Sequence, residues 1–183
     1  MAEQKRENPN IVWMDLEMTG LNPDSDDIIE IASIVTDADL NIIAEGPELV
    51  VHLPETRFAQ MDSWNQEHHS ASGLWGKVLA SEMTLSEAET LTLDFLKKHV
   101  GANASPLAGS SIWQDRRFIT KYMKRIDEYL HYRLVDVSSF KEMIKRWYPS
   151  YPVKLEKKNS HRALDDIRES IEELKFYREH FFK

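Results

Sequence analysis

Asp15 and Glu17 stand two residues apart in an apolar, β-branched run, Asn10–Met18. In a strand that spacing sends both side chains out of the same face. Two carboxylates side by side repel unless a cation lies between them. With 31 acids in 183 residues, a D-x-E pair can also be an exposed strand face. The flanking Ile11, Val12, Trp13 and Met14 point instead to a central strand, where uncompensated acids are costly. A second group lies near the other end, in His161-Arg-Ala-Leu-Asp165-Asp166. At about 100° per residue, Ala163, Leu164, Ile167, Ile171, Leu174 and Tyr177 form one apolar stripe. Asp165 points away from that stripe, as a charge favourable to a helix N-terminus. Asp166 lies at its edge, where it can reach a site on a sheet. His161, with a reference pKa of about 6.5, has the chemistry of a general base at neutral pH. Asp115 stands at the expected start of a helix, where a cap is the simpler reading. Arg116, Arg117 and Lys121 follow it and can meet phosphate or pair with nearby acids.

These groups need elements to hold them. Ile28–Asp37 and Asn41–His52 read as two further strands, separated from the first and from each other by Asn22-Pro23-Asp24 and Asp37–Asn41. Three such runs make an antiparallel meander. The second half is mainly helical. Ser86–His99, Asp115–Tyr129, Ser138–Trp147 and about Ser160–His180 read as helices, with Thr84 or Ser86 capping the first. Pro106–Gly109 and Arg133–Val137 read as short strands, Pro149–Asn159 as a loop, and Trp64, His68 and His69 as part of a helix or loop. Three strands followed by βαβα predict an α/β fold, with a mixed central sheet flanked by helices. One domain over residues 1–183 is expected, with 1–9 as a flexible tail.

The chain has no cysteine, which excludes thiolate chemistry and disulfides and suits a reducing, cytoplasmic setting. No stretch approaches the roughly 20 apolar residues of a membrane span, and no signal peptide is evident. Net charge is −8, against the basic footprint of proteins that grip long nucleic acid. A polyanionic substrate would then be short and held through metal ions, which are often the largest local charges in a site.

Taken in order, Asp15-Leu-Glu17, Asp115, and His161 followed by Asp166 resemble the histidine-bearing branch of the DEDD exonuclease superfamily, on a ribonuclease H-like fold. The likeness extends from Ile11 to Lys183. Trp13-Met-Asp-Leu-Glu-Met-Thr-Gly-Leu21, Met61-Asp-Ser-Trp-Asn65, His69 to Gly73, Gln114-Asp-Arg-Arg-Phe118, His131-Tyr-Arg133, Asp136-Val-Ser138 and Asp165–Ser170 are similar to the oligoribonuclease family. That resemblance implies a homodimeric 3′→5′ exoribonuclease that degrades very short RNA, dinucleotides above all, to 5′-mononucleotides. It implies two Mg²⁺ or Mn²⁺ ions on Asp15, Glu17, Asp115 and Asp166, with His161 as general base. It further implies that Leu21 wedges against bases and Trp64 stacks on one. By the same likeness His69 contacts substrate, Ser111, Arg133 and Ser138 take the 5′-phosphate, and Tyr132 reaches the partner subunit's site. Trp113 departs from the family pattern, where a small residue is expected.

Three other readings are weaker. One is a non-catalytic RNA-binding or scaffold protein, which would bind without metal and cleave no phosphodiester. Asp15-Leu-Glu-Met-Thr19 approximates the D-x-D-x-T of haloacid dehalogenase-type phosphatases, but the second acid is Glu and no later G-D-x(3)-D string exists. A proofreading DNA exonuclease fits the acids but not the net charge or the strings around Trp64 and Tyr132.

Overall fold

The computed structural model describes residues 10–150 and 162–182. The expected tail at 1–9, most of the loop expected at Pro149–Asn159, the helix start at Ser160 and His161 lie outside the described residues.

Strand β1 (Ile11–Met18) pairs antiparallel with β2 (Ile28–Thr36), and β2 pairs antiparallel with β3 (Ile42–Glu45) and β4 (Leu49–Val50). On the other side of β1, β5 (Leu107–Gly109) and β6 (Leu134–Asp136) add in parallel, giving the order β3-β2-β1-β5-β6. This is the mixed sheet the sequence predicts. The single strand expected over Asn41–His52 is two. Pro47 has no N–H to give a ladder, so the run breaks at Gly46-Pro47, and β3 and β4 lie one after the other along β2.

Helices cover both faces. α1 (Ser63–Ala71) and α2 (Leu74–Ala80) precede α3 (Leu85–His99), which starts on a capping box between Thr84 and Glu87. The helix expected over Asp115–Tyr129 starts earlier and is two helices, α4 (Ile112–Tyr122) and α5 (Lys124–Tyr129). Met123, buried between them at φ −128° and ψ 60°, leaves the helical basin and turns the chain. α6 (Val137–Trp147) and α7 (Ala163–Phe181) complete the set. No helix among the described residues is long and apolar enough to cross a membrane.

β1 divides the interior. Val12, Met14 and Leu16 join one core with α3, α4 and α5, whereas Trp13 joins a second core with Ala32, Ile34, Ala163, Ile167, Ile171 and Tyr177. Strand alternation then carries Asp15 and Glu17 onto the same face as Trp13, beneath α7. The acids lie where that apolar core gives way.

Candidate active site

One carboxylate oxygen each from Asp15, Glu17 and Asp166 lies within 4.8 Å of the others. β1 supplies the first two by alternation. α7 supplies the third, its stripe of Ala163, Ile167, Ile171 and Tyr177 seated on the sheet as the helical periodicity predicts. Asp165 faces elsewhere and pairs with Arg168 at 3.1 Å. Ala32 stands opposite Asp15 in the ladder and leaves room there, while Glu17 stands opposite Glu30.

Asp115 is not a cap. Ser111 holds that position, in the left-handed region at φ 53°. Asp115 is buried in the first turn of α4, and its Oδ1 accepts the Leu16 N–H at 2.9 Å. β5 ends at Gly109, so this carboxylate takes over hydrogen bonding along β1 where the strand partner stops.

The electrostatics follow from crowding in a poorly solvated place. Burial, then the charges of Asp115, Glu17, Asp166 and Glu30, hold the Asp15 carboxyl well above the usual range. Burial first, and then Asp166, Glu30 and Asp115, push Glu17 up to about 8, with Arg162 pulling the other way. Burial raises Asp115 to about 7, against the Leu16 N–H and its own N–H. Such a group fits a divalent cation. Ligand oxygens opposite each other on a hard divalent ion stand about 4–5 Å apart, so all three oxygens can share one ion. Among the described residues the donors are carboxylate oxygens, which suit a hard divalent ion.

The remaining predicted residues surround this centre. His69 is buried in α1 and its Nε2 lies 2.9 Å from the Met18 carbonyl oxygen, which docks α1 on the end of β1; burial lowers its pKa. On the same helix Trp64 is 57% exposed and stacks on His68 with centroids 3.7 Å apart. Leu21, just past β1, is 68% exposed, and its carbonyl accepts the Gln114 amide at 2.6 Å. The Ser111 and Ser138 hydroxyls meet at 3.0 Å. Asp136 draws their segments together, its Oδ1 accepting both backbone N–H groups. Arg133 lies over the Tyr132 ring instead, 5.6 Å from its centroid, and Tyr132 is 74% exposed. Trp113 points outward, with Arg117 over its ring. The basic residues after Asp115 are engaged within the chain: Arg116 pairs with Asp127, and Lys121 with Asp24.

The sequence gives no role to Glu30, Arg162, Gln114 or Asp136, although the last three stand inside the quoted strings. The signal for Glu30 was present, an acid inside the apolar run Ile-Ile-Glu-Ile-Ala.

Fold and acid cluster together define an exonuclease of the RNase T type, whose family model matches residues 12–174. The oligoribonuclease of Haemophilus ducreyi is 55% identical over 179 residues, covering 98% of each chain. Those of Hahella chejuensis and Escherichia coli are 53% and 55% identical over 174 residues, each covering 95% of this chain and 96% of the relative. The chain belongs to the oligoribonuclease family. Among solved structures, E. coli exonuclease I in complex with a dT13 oligonucleotide superposes with a TM-score of 0.73 at 14% identity, over 93% of this chain and 41% of that one. Exonuclease I from Methylocaldum szegediense gives 0.69 at 17% identity, over 95% of this chain and 41% of that one. That likeness is one of fold, and this chain spans about two fifths of those longer chains.

Proposed function

We propose that this protein is a 3′→5′ exoribonuclease acting on very short single-stranded RNA, dinucleotides above all, and releasing 5′-mononucleotides with two divalent ions, Mg²⁺ or Mn²⁺. The convergence of Asp15, Glu17 and Asp166 from the two ends of the chain carries the reading. Those three would hold one ion. Asp115, whose charge acts on Asp15 more than any other, would support the second together with Asp15. When bound, such ions lower the pKa of water and offset charge on the phosphate and leaving oxygen.

The chain's own groups do the rest. His161, immediately before Arg162, takes a proton from the attacking water. Leu21 and Trp64 offer apolar and aromatic surface to bases, and stacking on an aromatic side chain is tolerant of sequence. His69 contacts substrate from beside Met18. Ser111, Arg133 and Ser138 receive the 5′-phosphate, and the paired serine hydroxyls support a short substrate with a terminal anchor. A homodimer completes the site, with Tyr132 of one subunit serving the other. The exposed Tyr132 and Leu134, beside and on the edge strand β6, and the exposed Trp147 and Tyr148 at the end of α6 support a second copy as the partner. A location in the cytoplasm accords with the absence of cysteine.

The test is a length series of 5′-labelled RNA, from the dinucleotide upward, with Mn²⁺ and with EDTA. Rapid mononucleotide release from the dinucleotide, abolished by EDTA, is the expected result. Cleavage that persists in EDTA, or that favours long RNA or DNA, overturns the proposal.

A further inference from the structure

We infer that Glu30 and Arg162 are positioning residues for the metal-binding carboxylates, a buried ion pair that anchors the first turn of α7 and sets where Asp166 meets Asp15 and Glu17. The inference rests on reading that trio as the metal site.

Glu30 lies at the middle of β2, fully buried in a strand whose every residue is buried. A carboxylate there is strongly disfavoured unless it is paired and hydrogen-bonded. It also faces Glu17 across the ladder, adding negative charge where three carboxylates already crowd. Both of its oxygens are engaged by the start of α7. Oε1 accepts Arg162 Nη2 at 2.6 Å and Nε at 3.1 Å, while Oε2 accepts the Ala163 N–H at 3.2 Å.

Those partners explain its presence. Helix α7 has no side-chain cap of its own, since Arg162 occupies the N-cap position and caps nothing. Its first N–H is met by Glu30, a residue 133 positions earlier in the chain. The Arg162 guanidinium is gripped on a second side by Glu48 at 2.8 Å, from the segment between β3 and β4. Asp166 lies one turn into the helix, so the depth and rotation of that turn decide its distance from β1. The two-point contact between guanidinium and carboxylate fixes both. The cation at Arg162 also offsets some of the repulsion on Glu17.

The experiment measures Mn²⁺ binding directly, from the electron paramagnetic resonance signal of free Mn²⁺, on the wild-type protein and on E30Q, R162K, R162A and D166N. Dinucleotide kinetics and thermal melts accompany it. E30Q and R162A should weaken Mn²⁺ binding about tenfold or more, the usual scale for groups that orient metal ligands. R162K, which keeps the charge but not the fork, should fall between wild type and R162A. At saturating Mn²⁺, kcat should drop more than KM rises. Mn²⁺ affinity within about twofold of wild type in both E30Q and R162K, far outside that scale, overturns the inference even if both melt earlier. Unchanged Mn²⁺ binding in D166N would instead overturn the metal-site reading on which it rests.

Discussion

Asp165 and Asp166 are neighbours in sequence and differ in what α7 lets them reach. One pairs with Arg168 on the outer side, and the other joins Asp15 and Glu17. D166N should therefore lower dinucleotide hydrolysis in Mn²⁺ by roughly a hundred- to a thousandfold or more, the scale for one preorganised electrostatic contact. D165N should stay near wild type, and the opposite ranking would sink the assignment. A pH effect follows from Glu17. Its folded-state value of about 8 exceeds the ordinary 4.5, so between those values the metal-free native state holds a proton the unfolded chain has released. Stability then falls as pH rises through that window, in full above about pH 8. Asp115, raised to about 7, acts in the same direction. Melting temperature measured in EDTA should decline across the window, and Mn²⁺ should flatten the decline; a rise in EDTA would contradict it. At this scale the sequence was informative where periodicity governs. Alternation put Asp15 and Glu17 on one face, and the helical stripe separated Asp166 from Asp165. Asp115 and Glu30 were not legible this way, because each owes its role to a tertiary partner, the Leu16 N–H and Arg162, about which local pattern is silent.

Helix α4 serves two ends of the site. Its first turn places Asp115 against β1, and the face bearing Gln114, Arg117 and Lys121 holds the loop after β1 through the carbonyls of Leu21 and Pro23. Q114A removes one of the two donors to the Leu21 carbonyl and leaves it Arg117, at a cost of about 0.5–1.5 kcal/mol. Denaturant melts should show that loss. KM for a dinucleotide should rise, while kcat should change less, since the acids stay in place. Unaltered KM in a destabilised variant would detach the loop from substrate binding. Element existence was readable from pattern, and boundaries less so. The break at Met123 has no Gly or Pro to announce it; tertiary packing of that buried side chain ends the helix. The interruption at Gly46-Pro47 was written in residue type, yet apolar residues on both sides masked it. α2 went unread because seven residues containing Gly76 are too short to display a period.

Across the whole molecule, a net charge of −8 and a centre of crowded carboxylates set the terms of recognition. Among the described residues most basic side chains pair with the protein's own acids, and a short substrate fits that surface. Tyr132 supplies the test of assembly. Subunits carrying Y132A and subunits carrying H161A, each inactive alone, should regain activity when mixed, because one of the resulting sites keeps both residues. No recovery in a heterodimer verified by mass would rule out action across the interface. Sedimentation of the wild type as a monomer at assay concentration would rule out the interface itself.

The docking of α7 on β1 and β2 has a consequence for how the chain matures. Glu30 and Arg162 are 132 residues apart, so the cation-holding centre is among the longest loops the fold must close, and contacts of that span form slowly. A chain in which α7 has not docked on the sheet lacks Asp166 at the site, and with it one of the three carboxylates. Metal uptake by a refolding chain would therefore report that docking directly, whatever the helix and sheet signals show.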